Sequence, residues 1–342
     1  MNCRTNYRQW IFAIATTSLC WLTAYAETPG TGISPRDKCL LESIKTAAPD
    51  TTINELQSGC EHTATQAIDA AAQSPGDQQM TPLEDQMLAD QATYDTGFAI
   101  SPFQPNYFIA SYNSDPNEAP FEAESGDDVS LDEGEAKFQI SIKGPLWRNM
   151  FGTNNDIIAA YTQRSWLQKN NDDISNAFRE TNYQPEIFLR HYGGPEIFGG
   201  KTAAMDIGLN HESNGHTGEL SRSWNRVIGR MYLDYDSVAV GLRAWYRIPE
   251  SDNSDENPHM HRYFGYGDVT MSYAPNKNTF SAMLRPGTEE NGVELTWSYP
   301  LNKTFRVYAQ YWNGFGESLI DYDTRVERIG IGIALNDWLQ RR

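Results

Sequence analysis

After residue 26 the chain has no apolar run approaching the ~20 residues that a membrane helix needs. Any membrane span must therefore be built from strands. Basic residues are also scarce: 27 Lys and Arg stand against 45 Asp and Glu, a formal net charge of -18. This disfavours nucleic acid as a partner, since phosphate binding needs clustered cations. The acidity suits outward loops that hold divalent cations, and equally suits plain solubility. Cysteine is rare, with four in 342 residues. Two of these lie at the very N-terminus, leaving Cys39 and Cys60, which an exported chain is expected to pair. Closing so short a loop is worth on the order of 3 kcal/mol.

Aromatic residues, by contrast, are abundant: 18 Tyr, 14 Phe and 9 Trp. In a polar chain with 26 Gly they fit an all-β protein, and girdles of Tyr and Trp fit a transmembrane barrel. The first 26 residues read as a secretory signal peptide. Arg4 and Arg8 precede an apolar stretch from Trp10 to Tyr25, and Ala24-Tyr25-Ala26 is a small-x-small cleavage site. Residues 27–93 form an N-terminal periplasmic extension rich in Ala, Gln, Thr and Asp. Ser34-Pro35 opens a short helix to Lys45, Thr52–Ala72 supplies a second, and 73–90 reads as a linker.

From about Tyr94 to Arg342 the hydrophobic period becomes two. Candidate strands lie near 105–113, 134–145, 156–167, 182–190, 201–213, 221–233, 237–248, 264–273, 279–286, 291–299, 304–313 and 325–335. Twelve strands joined by alternately long and short connections predict an antiparallel transmembrane β-barrel, with short periplasmic turns and longer outer loops. A soluble β-sandwich would also alternate, but it would not require the loop asymmetry.

Residues Met205 to Asn225 stand out within this pattern. Alternation places Met205, Ile207, Leu209, His211 and Ser213 on one strand face, and Asp206, Asn210 and Glu212 on the other. Pairing His211 with Asn225 in a hairpin sets Ser213 opposite Ser223, Leu209 opposite Val227 and Met205 opposite Met231. Nucleophile, base and orienting amide then share a face that is otherwise apolar. By spacing alone, the same residues also fit a pair of interfacial polar groups. Gln163 shares the parity of Ile157, Ala159 and Tyr161, which puts an amide toward lipid and favours a hydrogen bond across a dimer interface; a shifted register would turn it to the lumen instead. Inward parity for Arg164, Trp224, Arg226 and Arg230, with Glu180 nearby, predicts a charge-paired lumen. His259-Met260-His261 reads as a solvated loop rather than a metal site.

The run Asn210-His211-Glu212-Ser213-Asn214-Gly215, followed by Ser221-Arg222-Ser223-Trp224-Asn225-Arg226, resembles the active-site hairpin of the outer-membrane phospholipase A family. The likeness continues through Phe138-Gln139-Ile140-Ser141, Pro145-Leu146-Trp147-Arg148, Tyr161-Thr162-Gln163-Arg164-Ser165-Trp166, Phe178-Arg179-Glu180-Thr181-Asn182-Tyr183 and Gly316-Glu317-Ser318-Leu319-Ile320-Asp321-Tyr322. It spans about 94 to 339. The resemblance implies a calcium-dependent hydrolase of phospholipid and lysophospholipid acyl esters in the Gram-negative outer membrane, with its active site toward the outer leaflet, working as a homodimer. Carried over by position, Ser213 is the nucleophile, His211 the base and Asn225 its holder. Gly215 supplies an oxyanion amide. The calcium ligands are the Ser175 hydroxyl of one subunit and the His216 and Ser221 carbonyls of the other. Gly218 departs from the family, many members of which have a calcium-binding Asp there. Glu219 and Glu212 are nearby carboxylates, although Glu212 has inward parity.

Overall fold

The computed structural model of the chain describes residues 43, 45, 52, 81–95, 100–168, 178–251 and 255–339. The signal-peptide segment, the Cys39–Cys60 pair and Ser175 lie outside the described residues. Ser43 and Lys45 are helical, within the first helix expected from the sequence.

Thirteen strands form one antiparallel sheet: β1 (Ser101–Pro102), β2 (Tyr107–Asn113), β3 (Gly134–Trp147), β4 (Asn155–Leu167), β5 (Phe178–Tyr192), β6 (Lys201–Ser213), β7 (Ser223–Tyr235), β8 (Val238–Arg247), β9 (Gly267–Tyr273), β10 (Thr279–Pro286), β11 (Asn291–Pro300), β12 (Arg306–Gly314) and β13 (Val326–Ala334). Strand β1 only extends the pairing of β3. The other twelve pair in chain order, and β13 with β2 closes the ring. Closure leaves none of these twelve strands with a free edge, which is the condition for placing a sheet in lipid. At the seam a Cβ on Gly332 would lie 2.2 Å from the Phe108 carbonyl oxygen, so only glycine fits there.

The barrel is apolar outside and polar inside. Ile207, Leu209, Ile329 and Ile331 are more than half exposed on the outer face, while Arg226, Glu212, Arg328 and Glu135 are at most 5% exposed within. The charged interior is satisfied by pairing: Arg190 with Asp206 at 2.8 Å, Lys137 and Arg328 with Glu317 at 2.8 and 2.9 Å, and Arg230 with Glu186. This is the inversion that period-two alternation predicts when the surrounding solvent is hydrocarbon.

Connections on one rim span 114–133, 168–177, 214–222, 248–266, 287–290 and 315–325, and those on the other span 148–154, 193–200, 236–237, 274–278 and 301–305. The expected asymmetry holds except at Gly287–Glu290, a tight turn. The long-loop rim carries helices α2 (Ala119–Ser125) and α3 (His261–Phe264). Met260 is fully buried with Trp224 and Phe264, so the His259–His261 segment is partly a core element rather than a wholly solvated loop.

One segment departs from the expected linker. Residues Pro82–Asp95 form helix α1, within the compact unit that begins at Gln79. Leu83 packs with Ala239, Ala274 and Leu339. Thr81 donates to Asp234, and Asp90 pairs with Lys143 at 2.5 Å. The polar composition hides the helix, because only Leu83, Met87 and Tyr94 anchor it, at helical spacing.

Candidate active site

Strands β6 and β7 pair in the register expected from alternation, with His211 opposite Asn225, Ser213 opposite Ser223 and Leu209 opposite Val227. His211, Ser213 and Asn225 are half-buried on the outer, lipid-facing surface. The His211 Nδ1 and Asn225 Oδ1 atoms lie 2.9 Å apart. With the amide oxygen as acceptor, Nδ1 carries the proton, which leaves Nε2 as a free base. Ser213 sits two residues further along the same face, opposite Tyr183 of β5 on its other side. Among the described residues His211 hydrogen-bonds only Asn225, and Ser213 makes no side-chain hydrogen bond. A separation of two residues on one face is ~7 Å between Cα atoms, a gap that catalytic pairs close when substrate is seated.

The other face of the hairpin holds this geometry in place. Glu212 accepts from Trp224 Nε1 at 3.0 Å, from Arg226 at 2.6 Å and from Arg164 at 3.0 Å. The Arg226 guanidinium also lies 3.8 Å from the centre of the Trp224 ring. Glu212 is thus committed to the lumen and is not available to a metal beside Ser213.

The loop from Asn214 to Arg222 is organised by the buried Asn214 side chain. Its Nδ2 donates to the Leu220 carbonyl at 2.8 Å and to Glu180 at 3.3 Å, and its Oδ1 accepts from the Arg222 and His216 amides at 3.0 and 3.3 Å. Glu180 in turn accepts from the Ile320 amide, and Asn182 from the Leu319 amide. The separate motifs at 178–183 and 316–322 therefore meet beneath the loop that follows Ser213. Gly215 has φ +72°, with the Tyr183 ring closing the space a side chain would occupy. Burial lowers the His216 pKa against the opposing pull of Glu124, which favours the neutral ring.

Three carboxylates converge on this region, of which the sequence pattern marks only Glu256, as part of an acidic loop run at 252–256 that reads as a solvated face. Glu124 of α2 accepts from the Glu219 amide at 3.0 Å and lies where a Cβ on Gly218 would be, 2.7 Å from its Oε2. Glu256 accepts from the Ser221 hydroxyl at 2.7 Å. Glu250 accepts from Asn225 Nδ2 at 3.3 Å. The first comes from 95 residues before Glu219 and the others from the loop after β8, so spacing alone carried no signal for any of them. Beside His211 and Asn225, a groove on the outer surface is lined by Ile187, Leu209, Ile248 and Pro249. A cavity of about 160 Å³ lies in the lumen, across the barrel wall from this chemistry.

Gln163 has the expected outward parity. Its Oε1 accepts from the Tyr161 hydroxyl at 3.0 Å and its Nε2 donates to Ser165 at 3.1 Å. The amide is therefore satisfied within one chain, with one N–H and one lone pair to spare.

The model of the phospholipase A1 family matches residues 83–335, which takes in the barrel and most of helix α1. The chain belongs to the phospholipase A1 family. It is 38% identical over 247 residues to phospholipase A1 of Escherichia coli K12, covering 71% of this chain and 84% of that protein. Among solved structures it is similar to the outer membrane phospholipase A of Escherichia coli, with a TM-score of 0.65, 36% identity and coverage of 70% of this chain and 93% of the other. It is equally similar to the Salmonella typhi outer membrane phospholipase dimer with bound calcium, at TM-score 0.65, 35% identity and coverage of 71% and 94%. The phospholipase fold is thus the twelve-stranded barrel of a Gram-negative outer-membrane enzyme, and the chemistry is hydrolysis of a phospholipid ester.

Proposed function

We propose that Ser213, His211 and Asn225 carry out this hydrolysis on the lipid-facing surface of the barrel. The observation that carries the proposal is the 2.9 Å bond between His211 and Asn225, on the same outward face as Ser213. Nε2 of His211 takes the Ser213 proton as the hydroxyl oxygen attacks the ester carbonyl. The C–O bond to the glycerol then breaks, and the same imidazole returns the proton to the leaving alkoxide. Water, activated by His211 in turn, releases the fatty acid from Ser213. Asn225 holds the ring. The Gly215 amide donates to the developing oxyanion. The apolar groove beside His211 suits an acyl chain, and the placement suits a substrate drawn from the outer leaflet, including lysophospholipids and both acyl positions.

We assign calcium to the loop after Ser213. The carbonyls of His216 and Ser221, with the Ser175 hydroxyl of a second subunit, form the hard oxygen set that calcium prefers. The loop presents such oxygens: the Ser221 carbonyl already faces a cation, Arg222 Nη1 at 2.7 Å, and Glu124 and Glu256 add carboxylates nearby. Bound calcium would supply positive charge against the oxyanion. Activity would then depend on a homodimer in which Gln163 uses its spare hydrogen-bonding capacity. On this reading residues 1–26 are a leader, and 27–93 an extension carrying the Cys39–Cys60 disulfide ahead of the barrel domain 94–342.

The test is hydrolysis of phospholipid in mixed micelles, with calcium and with chelator, for the parent and Ser213→Ala. The expected result is activity only for the parent with calcium. Full activity in Ser213→Ala would overturn the site, and indifference to chelator would overturn the metal. Crosslinking in the same samples reports whether active protein is dimeric.

A further inference from the structure

We propose that Glu250 is a positioning residue of this site: it fixes the orientation of the Asn225 amide, and through it the tautomer of His211. The inference rests on the assignment of Ser213, His211 and Asn225 above.

An asparagine amide is nearly symmetric in shape, so packing alone does not decide which end faces a neighbour. The choice matters here. With Oδ1 toward His211, Nδ1 is protonated and Nε2 is a base. With the amide reversed, Nδ2 would donate to Nδ1, leaving Nε2 protonated and unable to take the Ser213 proton. Glu250 removes the ambiguity. An ionised carboxylate only accepts, so the 3.3 Å contact from Asn225 to Glu250 Oε1 requires Nδ2 on that side and Oδ1 toward His211.

The backbone brings Glu250 to this position. The β7–β8 ladder pairs Arg226 with Arg247, and one further bond, from the Ile248 amide to the Asn225 carbonyl at 2.8 Å, ties the outgoing loop to the residue that Glu250 must reach. Pro249 follows with its φ fixed, restricting where the next side chain is directed.

The contact also supplies what asparagine lacks. An aspartate in this role would place negative charge beside the imidazolium that forms as Ser213 is deprotonated. Asn225 is neutral, but Glu250 sets a carboxylate one amide away in a charge-assisted hydrogen bond, which polarises Oδ1 toward His211. On this outer face Asn225 lies opposite His211, Tyr183 of β5 and Ser223 of β7 flank Ser213, and Glu250 and Glu256 reach Asn225 and Ser223 from the loop after β8. Glu212 and Arg226 point into the lumen, and among the described residues Glu256 is engaged with Ser221 and Ser223 rather than Asn225.

The test uses the full chain in mixed micelles with calcium, comparing the parent, Glu250→Ala, Glu250→Gln and Ser213→Ala. Glu250→Ala should lower kcat about tenfold, with KM within about twofold, because orientation is lost and the groove is kept. Glu250→Gln should recover much of kcat, since its carbonyl can still accept. In both variants the acid limb of kcat/KM should move to lower pH, because a carboxylate that stabilised the imidazolium has gone. Parent-like kcat and an unmoved acid limb in Glu250→Ala overturn the inference, as does a loss confined to KM. If heat-modifiable migration shows that the alanine variant does not assemble, the acid limb of Glu250→Gln decides: a shift supports the role and an unmoved limb overturns it. Full activity in Ser213→Ala overturns the underlying site, a result distinct from failure of the Glu250 variants alone.

Discussion

The two faces of the β6–β7 hairpin differ in how their polar groups are satisfied. On the lumen side Glu212 alone meets Trp224, Arg226 and Arg164, and Glu212, Trp224 and Arg226 are all buried. On the lipid side one hydrogen bond joins His211 to Asn225, and the Ser213 hydroxyl makes none among the described residues. A saturated network rigidifies the wall but has no capacity left for a substrate. An under-satisfied pair can act on an incoming ester, provided something else keeps it in register. On the proposed assignment of the site, the wall is held from within and reacts from without.

Neighbouring residues put this to the sharpest test. Ser213→Ala should reduce turnover by roughly 10⁴-fold or more, as loss of a nucleophile does elsewhere, while leaving the thermal transition of the barrel unchanged. Glu212→Ala, one residue earlier, should do the reverse. It strands the buried Arg226 and removes the partner of the partly exposed Arg164, at a cost of about 3–5 kcal/mol, seen as a lower temperature for the heat-modifiable band shift. The folded fraction should retain kcat within a few-fold. If both variants lose stability, or both lose only turnover, the division of labour between the faces is wrong.

Asn225→Ala is the intermediate case. It removes the orienting bond from a half-buried position without stranding a buried charge, so kcat should fall by about 10²-fold with little change in stability. A drop as large as that of Ser213→Ala would mean that Asn225 does more than orient. No drop would mean that another group holds the imidazole.

The faces also differ in how much of each could be read from the chain. Period two fixes parity and parity fixes sidedness, and the pairing of His211 with Asn225 taken within that parity is the register that forms. The inward direction of Arg164, Glu212 and Arg226 was legible for the same reason, but not that Glu212, rather than Glu180, is the carboxylate both arginines meet. Helix α1 was not, because three apolar anchors in a polar stretch give almost no periodic signal. Glu124, Glu250 and Glu256 were not legible either. They reach the site through loops, where no period links sequence position to direction, and their partners lie 95 residues away for Glu124, 25 for Glu250 and 35 for Glu256.

The loop that joins the two faces gives the smallest effect. Gly218 has φ +67°, a left-handed conformation that costs a side chain roughly 1 kcal/mol, and it leaves room for the Glu124 carboxylate. Gly218→Ala would push Oε2 away from the Glu219 amide, yet that carboxylate is the free end of a flexible side chain and can yield. The expected outcome is an unchanged barrel transition and a kcat within about twofold at saturating calcium, with a higher calcium concentration needed for half-maximal activity, since a loss of about 1 kcal/mol in loop order is felt by whatever the loop binds. A calcium midpoint that does not move would show that the Glu124–Gly218 contact only covers the loop. A barrel transition that falls with it would show that the loop belongs, energetically, to the lumen side of the wall.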